Sequence, residues 1–170
     1  MPGVDYAVRV CIAGHPSHGT RAMKFLAPLA LLTALLACTG LRAAEPVRTI
    51  EITANDQMKF NLAKIEAKAG ETLKVVLKNV GTLPKEAMGH NWVLLKPGTD
   101  LNAFAQASMT AKDAEYIAPA HKDKVVAFVK VLGPKQTGEV TFTVPAAGEY
   151  TYVCSFPGHY MLMKGTLVAK

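Results

Sequence analysis

The sequence predicts an all-β fold, a Greek-key β-sandwich of about eight strands with one inserted helix. Short segments of alternating or Val/Leu-rich residues run from Arg48 to the end of the chain. Turn residues separate these segments at the spacing of a sandwich or barrel, and strands do not alternate with helices. The chain has 170 residues and is 50% hydrophobic, which is enough for one such domain and a terminal extension.

The predicted strands are bounded by Gly, Pro and Asn. In the first, residues 48–54, Ile50 and Ile52 share one face. The others are residues 60–67, 72–79, 90–95, 125–132, 139–144, 149–154 and 165–169. Gly133-Pro134 and Pro157-Gly158 are two of the breaks between them.

Residues 100–116 are the exception to this pattern. Apolar residues from Leu101 to Met109 approximate helical spacing, and Asp100 is placed to cap the first turn. We expect one helix here. A single helix among many strands favours an antiparallel Greek-key sandwich over a parallel α/β fold.

Residues 1–44 are predicted to be an N-terminal export signal. A basic start at Arg21 and Lys24 precedes an apolar run over residues 25–37, which is shorter than the ~20 residues of a membrane-spanning helix. We expect translation to begin at Met23. Cleavage near residue 44 and a lipid anchor at Cys38 are both open, because the residues before Cys38 resemble a lipobox. The domain at residues 45–170 is therefore expected to be periplasmic or otherwise exported, with lipid-mediated membrane association as an alternative.

The charge of the predicted domain excludes one class of partner. The formal charge is +6 for the whole chain, and +3 for residues 45–170, which hold 15 basic and 12 acidic residues. The basic residues are scattered rather than clustered on one face, so we expect no nucleic acid partner.

The chemistry is concentrated in residues 154–163. Cys154, His159 and Met163 stand in a C-x4-H-x3-M spacing where one predicted strand ends. A thiolate, an imidazole and a thioether suit a soft metal, and a trigonal His2Cys site with a weak axial Met is the geometry of electron-transfer copper. His90, at the head of an upstream strand, supplies the second imidazole. After export, Cys154 is the only free thiol, and a lone thiol in an oxidising compartment needs an explanation.

Other functions fit this set less well. Structural zinc takes four N/S ligands and rarely a thioether. An enzyme with several copper centres needs further histidine clusters, but only His90, His121 and His159 remain after export, and His121 is expected on the surface. A copper chaperone or storage protein is the alternative to an electron carrier, although it favours Met-rich or multiple-Cys sites. We therefore expect one copper ion, no catalysis and no small-molecule substrate.

Several motifs resemble those of the blue copper proteins, or cupredoxins, and in particular the azurins and auracyanins. They are NDQMKF at residues 55–60, LPK at 83–85, MGHNWVL at 88–94, CSFPGH at 154–159 and LMKGTL at 162–167. The resemblance extends from about residue 48 to residue 170. It implies a cupredoxin-like fold and a one-electron carrier with a type 1 copper ion.

The resemblance also assigns roles to residues. The three equatorial ligands and the long axial ligand would be His90, Cys154, His159 and Met163. The Gly89 carbonyl would be a weak opposite contact. The backbone amides of Asn91 and Phe156 would donate to the Cys154 sulfur, and the Asn91 side chain would tie the two ligand-bearing loops together.

Electron transfer would run through His159 to an apolar surface patch that suits brief docking with redox proteins. The patch would comprise Met88, Phe156, Pro157, Tyr160 and Met161. The sequence departs from azurin here, because Tyr160 and Met161 are bulkier than the usual residues, so partner identity does not transfer. An azurin disulfide is also absent, since its positions fall near Arg48 and Glu71. Asn79 replaces a histidine that many azurins have. The missing disulfide and the possible lipid anchor favour the auracyanin branch.

Overall fold

The computed structural model describes residues 46–170, which contain nine strands and two short α-helices. The strands are β1 Arg48–Asn55, β2 Lys59–Phe60, β3 Lys64–Ala67, β4 Thr72–Asn79, β5 His90–Leu95, β6 Val125–Leu132, β7 Thr137–Thr143, β8 Gly148–Val153 and β9 Lys164–Ala169. The helices are α1 Lys85–Met88 and α2 Leu101–Ser108, and two 3-10 turns cover Lys112–Ala114 and Pro119–Lys124. The predicted export signal, the start at Met23 and the anchor at Cys38 lie outside the described residues.

The strands form two sheets, ordered β2-β1-β4-β7 and β3-β9-β8-β5-β6. The prediction of a β-sandwich is confirmed. Most neighbouring strands are antiparallel, but β1 with β4 and β3 with β9 are parallel. The first parallel pair arises because the chain leaves the first sheet after β2, adds β3 to the other sheet, and returns to place β4 beside β1 in the same direction.

The predicted strand at residues 60–67 is two strands in different sheets. β2 pairs with β1, whereas β3 pairs with β9. At the corner between them, the Asn61 side chain accepts a hydrogen bond from Thr53 N at 2.8 Å, and Asn61 N donates to the Thr53 carbonyl at 3.1 Å. These bonds turn the chain from one sheet to the other, and they explain why one apolar segment gives two strands.

The predicted helix at residues 100–116 is also shorter than expected. Asp100 caps α2 as predicted, because its carboxylate accepts from Ala103 N at 3.0 Å. The helix ends at Ser108, and Glu115 and Tyr116 both have a left-handed backbone, with φ of 57° and 55°. Two consecutive left-handed residues cannot continue a right-handed helix, so the second half of the segment is a compact turn.

The inner faces of the two sheets form the main core. Its largest fully buried side chains include Ile52, Leu73, Leu77, Trp92, Leu94, Tyr152 and Leu167. A smaller cluster on the outer face of the five-stranded sheet consists of Val93, Leu95, Phe104, Ile117 and Val153. Every residue of β5 is therefore buried, because α2 and the turn after it cover the strand's outer face. This double burial fixes the strand that carries His90.

Arg48 and Glu71, near which the resemblance places the azurin disulfide, form an ion pair. Arg48 Nη2 lies 2.5 Å from Glu71 Oε1, and Arg48 Nε lies 3.2 Å from the same oxygen. Arg48 Nη2 also donates a hydrogen bond to the Glu66 carbonyl at 2.7 Å. A non-covalent link thus joins the start of β1 to the turn before β4.

Among residues 46–170, no helix has the length and apolar character needed to cross a membrane.

Candidate metal centre

Adjacent strands bring the first two predicted ligands to one end of the sandwich. His90 begins β5, and Cys154 directly follows β8, which pairs with β5 in the same sheet. The nitrogens of His90 and His159 and the sulfur of Cys154 offer one ligand atom each, and these atoms lie within 4.8 Å of one another. All three residues are buried. Within the described residues, this is the group of His, Cys, Asp or Glu side chains that has the arrangement of a metal site.

The loop at residues 154–163 holds His159 against Cys154. His159 N donates to the Phe156 carbonyl at 3.0 Å across Pro157 and Gly158, and Gly158 has a φ of 80°. Proline at the second position and a positive φ at the third define a type II turn, which explains this Pro-Gly pair. The turn brings the His159 Nδ1 atom to 3.6 Å from the Cys154 sulfur.

Two further bonds close the loop at Met163. Met163 N donates to the His159 carbonyl, and Cys154 N donates to the Met163 carbonyl, both at 2.9 Å. Met163 is fully buried where the loop joins β9, whereas the preceding Met161 and Leu162 are exposed. The loop therefore directs the Met163 side chain into the interior and leaves its two neighbours at the surface.

The ligand group fits a soft cation. His90 is fully buried, and neither of its ring nitrogens has a hydrogen-bond partner. A buried imidazole without partners is costly unless it is a ligand. Burial lowers the pKa of His90, against weaker effects of the Asp56 carboxylate and the Asn55 backbone. Burial, with the nearby His90, also lowers the pKa of His159 to about 4. Both imidazoles are therefore neutral and able to donate a lone pair to a metal.

The thiol of Cys154 has the opposite shift. Burial raises its pKa to about 12, and the backbone amides of Asn91 and Phe156 partly counteract this by stabilising the thiolate. A thiolate in this pocket needs a bound cation to balance its charge, because water does not reach it. Two neutral imidazoles and one thiolate, together with one thioether, are the donor set of electron-transfer copper sites.

Asn91 connects the strand of His90 to the loop of Cys154. Its Oδ1 accepts from Ser155 N at 2.8 Å, and its Nδ2 donates to Ser155 Oγ at 2.8 Å. The same Nδ2 donates to the Glu115 carbonyl at 2.9 Å. Asn91 is fully buried, so these bonds hold the two ligand-bearing segments in a fixed relation.

Gly89 allows a close approach of backbone and side chains beside His90. A Cβ at this position would lie 2.7 Å from both the Lys85 carbonyl and Val131 Cγ1, and 2.9 Å from Phe156 Cε2. Its backbone angles are ordinary, with φ of −69°, so space rather than conformation requires glycine here. The backbone immediately before His90 therefore has no room for a side chain.

The surface near the loop differs in part from the predicted patch. Met88, Pro157 and Tyr160 are partly exposed, and Met161 is 63% exposed. Phe156 is only 7% exposed, because its ring packs against His159 at a centroid distance of 4.8 Å. It therefore lies beneath the surface rather than in it.

Sequence reasoning missed two exposed side chains and one polar residue near this site. Leu162 is 63% exposed and adds apolar surface to the loop, and Leu83, elsewhere in the chain, is 43% exposed. The exposure of Leu162 could have been predicted, because a loop that directs the Met163 side chain inward directs the neighbouring side chain outward. The contacts of Glu115 with Asn91 and with Val131 N could not, since they depend on the left-handed turn after α2. His121, expected in solvent, is partly buried edge-on against Phe104.

Comparisons with known proteins agree with this geometry. A family model described as copper binding proteins, plastocyanin/azurin family, matches residues 47–170. Azurin from Bordetella pertussis is 44% identical over 124 residues, which cover 70% of this chain and 81% of that protein. Auracyanin-A from Chloroflexus aurantiacus is 38% identical over 122 residues, which cover 71% of this chain and 73% of that protein. The structure of auracyanin A, a blue copper protein from the same organism, superposes with a TM-score of 0.66 at 37% identity and covers 74% of this chain and all of its own.

Proposed function

This chain belongs to the plastocyanin/azurin family of copper-binding proteins, and on that premise we propose which of its residues hold the copper ion and how electrons reach it. The protein is a blue copper electron carrier rather than an enzyme, with one type 1 copper ion as its cofactor. The proposed ligands are His90, Cys154, His159 and Met163, with the Gly89 carbonyl as a weak further contact. The observation that carries this assignment is the buried His2Cys group, in which neither ring nitrogen of His90 has a hydrogen-bond partner.

When bound, copper supplies one-electron chemistry by alternating between Cu(II) and Cu(I). The protein's contribution is to keep the donor atoms in place in both oxidation states. The Asn91 bonds, the type II turn and the bonds that close the loop at Met163 hold the ligands before any metal binds. A rigid donor set reduces the rearrangement that accompanies each electron transfer.

The route for electrons is proposed to pass through His159, which belongs to the loop that carries the exposed apolar side chains. Exposed apolar side chains around that loop suit a transient redox partner, since small apolar contacts form and dissociate quickly. The docking surface of this proposal consists of Leu83, Met88, Pro157, Tyr160, Met161 and Leu162, with Phe156 supporting it from below.

The location of the protein is part of the proposal. The basic start and the apolar run in residues 1–44 support export, with the periplasm as the expected compartment. Lipid-mediated membrane association through Cys38 is the alternative to cleavage near residue 44. Mass spectrometry of the mature N-terminus distinguishes the two, because only the second removes Cys38.

Addition of Cu(II) to the purified metal-free protein tests the ligand assignment. An intense visible band from thiolate-to-copper charge transfer is expected at a stoichiometry of one. Cys154→Ser should abolish the band, and His90→Ala should weaken copper binding. His121→Ala is the matched control, since His121 is a histidine that packs on Phe104, and it should leave the band unchanged. A colourless copper complex of the unaltered protein would refute the proposal.

A further inference from the structure

We propose that Glu115, in the turn after α2, is a positioning residue for the copper site. Its carboxylate accepts a hydrogen bond from the backbone of β6, and its carbonyl accepts one from a side chain of β5, the strand that begins at His90. The inference rests on the proposed ligand set. It concerns how the geometry of that set is maintained, and the residue does not contact the ligands themselves.

The carboxylate of Glu115 stabilises an irregularity in the sheet. β5 and β6 pair His90 with Leu132 and then Trp92 with Val129, so one residue of β5 faces two of β6. This is a β-bulge, and a bulge disrupts the ladder and leaves a backbone group to be satisfied elsewhere. The N–H of Val131, inside the bulge, donates to Glu115 Oε2 at 2.7 Å. Glu115 thus satisfies the backbone group that the bulge exposes.

The bulge matters because it lies directly beside the ligand-bearing segment. The Val131 side chain reaches the space next to Gly89, where its Cγ1 would be 2.7 Å from an added Cβ. The residue opposite the bulge on β5 is Asn91, which follows His90. A displacement of Val131 would therefore be transmitted to the backbone on both sides of His90.

The carbonyl of Glu115 acts on the other side of the same structure. It accepts from Asn91 Nδ2 at 2.9 Å, while the remaining bonds of Asn91 go to Ser155, next to Cys154. One residue therefore links the bulge on β6, the asparagine on β5 and, through that asparagine, the ligand loop. The αL backbone of Glu115, with φ of 57°, is what aims the two acceptors in these directions. Strained backbone of this kind persists where its surroundings require it.

The experiment compares four copper-loaded proteins: the unaltered chain, Glu115→Ala, Glu115→Gln and the control Asp113→Ala. Asp113 is an exposed carboxylate two residues earlier in the same turn. Two properties are measured, namely the position and intensity of the thiolate-to-copper band and the hydrogen exchange of the Val131 amide by NMR in the Cu(I) form. The exchange measurement reports the proposed contact without depending on electron transfer.

Glu115→Ala is expected to shift the band and to speed exchange at Val131 by about tenfold, since it removes the acceptor of that amide. Glu115→Gln keeps an acceptor at the same reach, so its band and exchange should lie close to those of the unaltered protein. Asp113→Ala should change neither. Rescue by Gln indicates that the bond, rather than bulk or charge, positions the site.

Two results would overturn the proposal: a Glu115→Ala protein that matches Asp113→Ala in both measurements, or a Glu115→Gln protein that matches Glu115→Ala. If Glu115→Ala does not fold, Glu115→Asp replaces it, because the shorter side chain withdraws the acceptor while keeping the charge, and unchanged exchange at Val131 then refutes the proposal. A colourless unaltered protein refutes the ligand assignment instead, so the two failures are distinguishable.

Discussion

Replacement of Asn91 by alanine is expected to be among the most destabilising polar substitutions in the domain. Asn91 is fully buried and makes three hydrogen bonds, two with Ser155 and one with the Glu115 carbonyl. Alanine removes all three and leaves Ser155 N without its acceptor in a place that water does not reach. The effect should appear in the metal-free protein, because every bond involved is within the chain.

The size of the effect follows from the bonds. Each of the three bonds contributes about 1 kcal/mol net, and a buried group left without a partner adds about 1–3 kcal/mol, so Asn91→Ala should lower the free energy of unfolding by about 4–6 kcal/mol. Ser155→Ala removes only the bond to the hydroxyl and should cost about 1 kcal/mol. A domain of this size has roughly 5–15 kcal/mol of stability, so Ser155→Ala removes a small part of it, whereas Asn91→Ala removes a large part and should unfold at a much lower urea concentration.

Urea unfolding of the metal-free proteins, followed by circular dichroism, measures these differences. Asn102→Ala is the matched control, since Asn102 is exposed on α2, where alanine is the better helix former and no loss is expected. The double variant of Asn91 and Ser155 should cost less than the sum of the single variants, because they share a bond. The reasoning is wrong if Asn91→Ala costs no more than Ser155→Ala, since the other two bonds would then contribute nothing.

Three further outcomes are expected. Met163→Leu should keep the blue colour but raise the reduction potential, measured by redox titration, because loss of the thioether donor disfavours Cu(II); an unchanged potential would argue against an axial role. Trp92 is fully buried and its Nε1 has no hydrogen-bond partner, so its fluorescence should lie far to the blue of water-exposed indole and shift red on unfolding. Bonds from Lys170 and Lys64 lower the pKa of Glu66 to about 2. The stabilisation from these bonds is therefore present at pH values above the pKa of a glutamate in the unfolded chain, and it is lost as the pH falls through about 2. Glu66→Gln should reduce the dependence of the urea midpoint on pH between these two pKa values.

The strands of the sandwich were predictable because their signal is local. Alternation and turn residues placed β4, β5 and β6 at the residues where the structure has them. The division of residues 60–67 between two sheets was not predictable in this way. It depends on bonds between Asn61 and Thr53, and no periodicity within the segment records which sheet each half will join. The parallel pairing of β1 with β4 has the same origin, since it follows from that change of sheet.

The grouping of the proposed ligands was predictable for a different reason. Cys154, His159 and Met163 are close in sequence, and their residue types restrict the metal more than any single residue does. His90 is distant, but two adjacent strands place it at the same end of one sheet. Local spacing also separates the two faces of the loop, because Met163 is buried while Met161 is exposed.

The support of the site required the structure, because it consists of backbone groups whose partners are set by tertiary folding. Val131 N needs an acceptor outside the sheet only because β5 and β6 form a β-bulge beside His90. The residue types of the two strands do not indicate where such a bulge will occur. Glu115 accepts the hydrogen bond from this amide, but it lies in a turn of ordinary composition. In the sequence nothing distinguishes it from the other charged residues of that loop. A metal site of this kind is therefore specified at two levels. Residue chemistry selects the ion, whereas the pairing of bulge, turn and asparagine sets how firmly the ligands are held, and variants that exchange only ligands cannot reveal the second level.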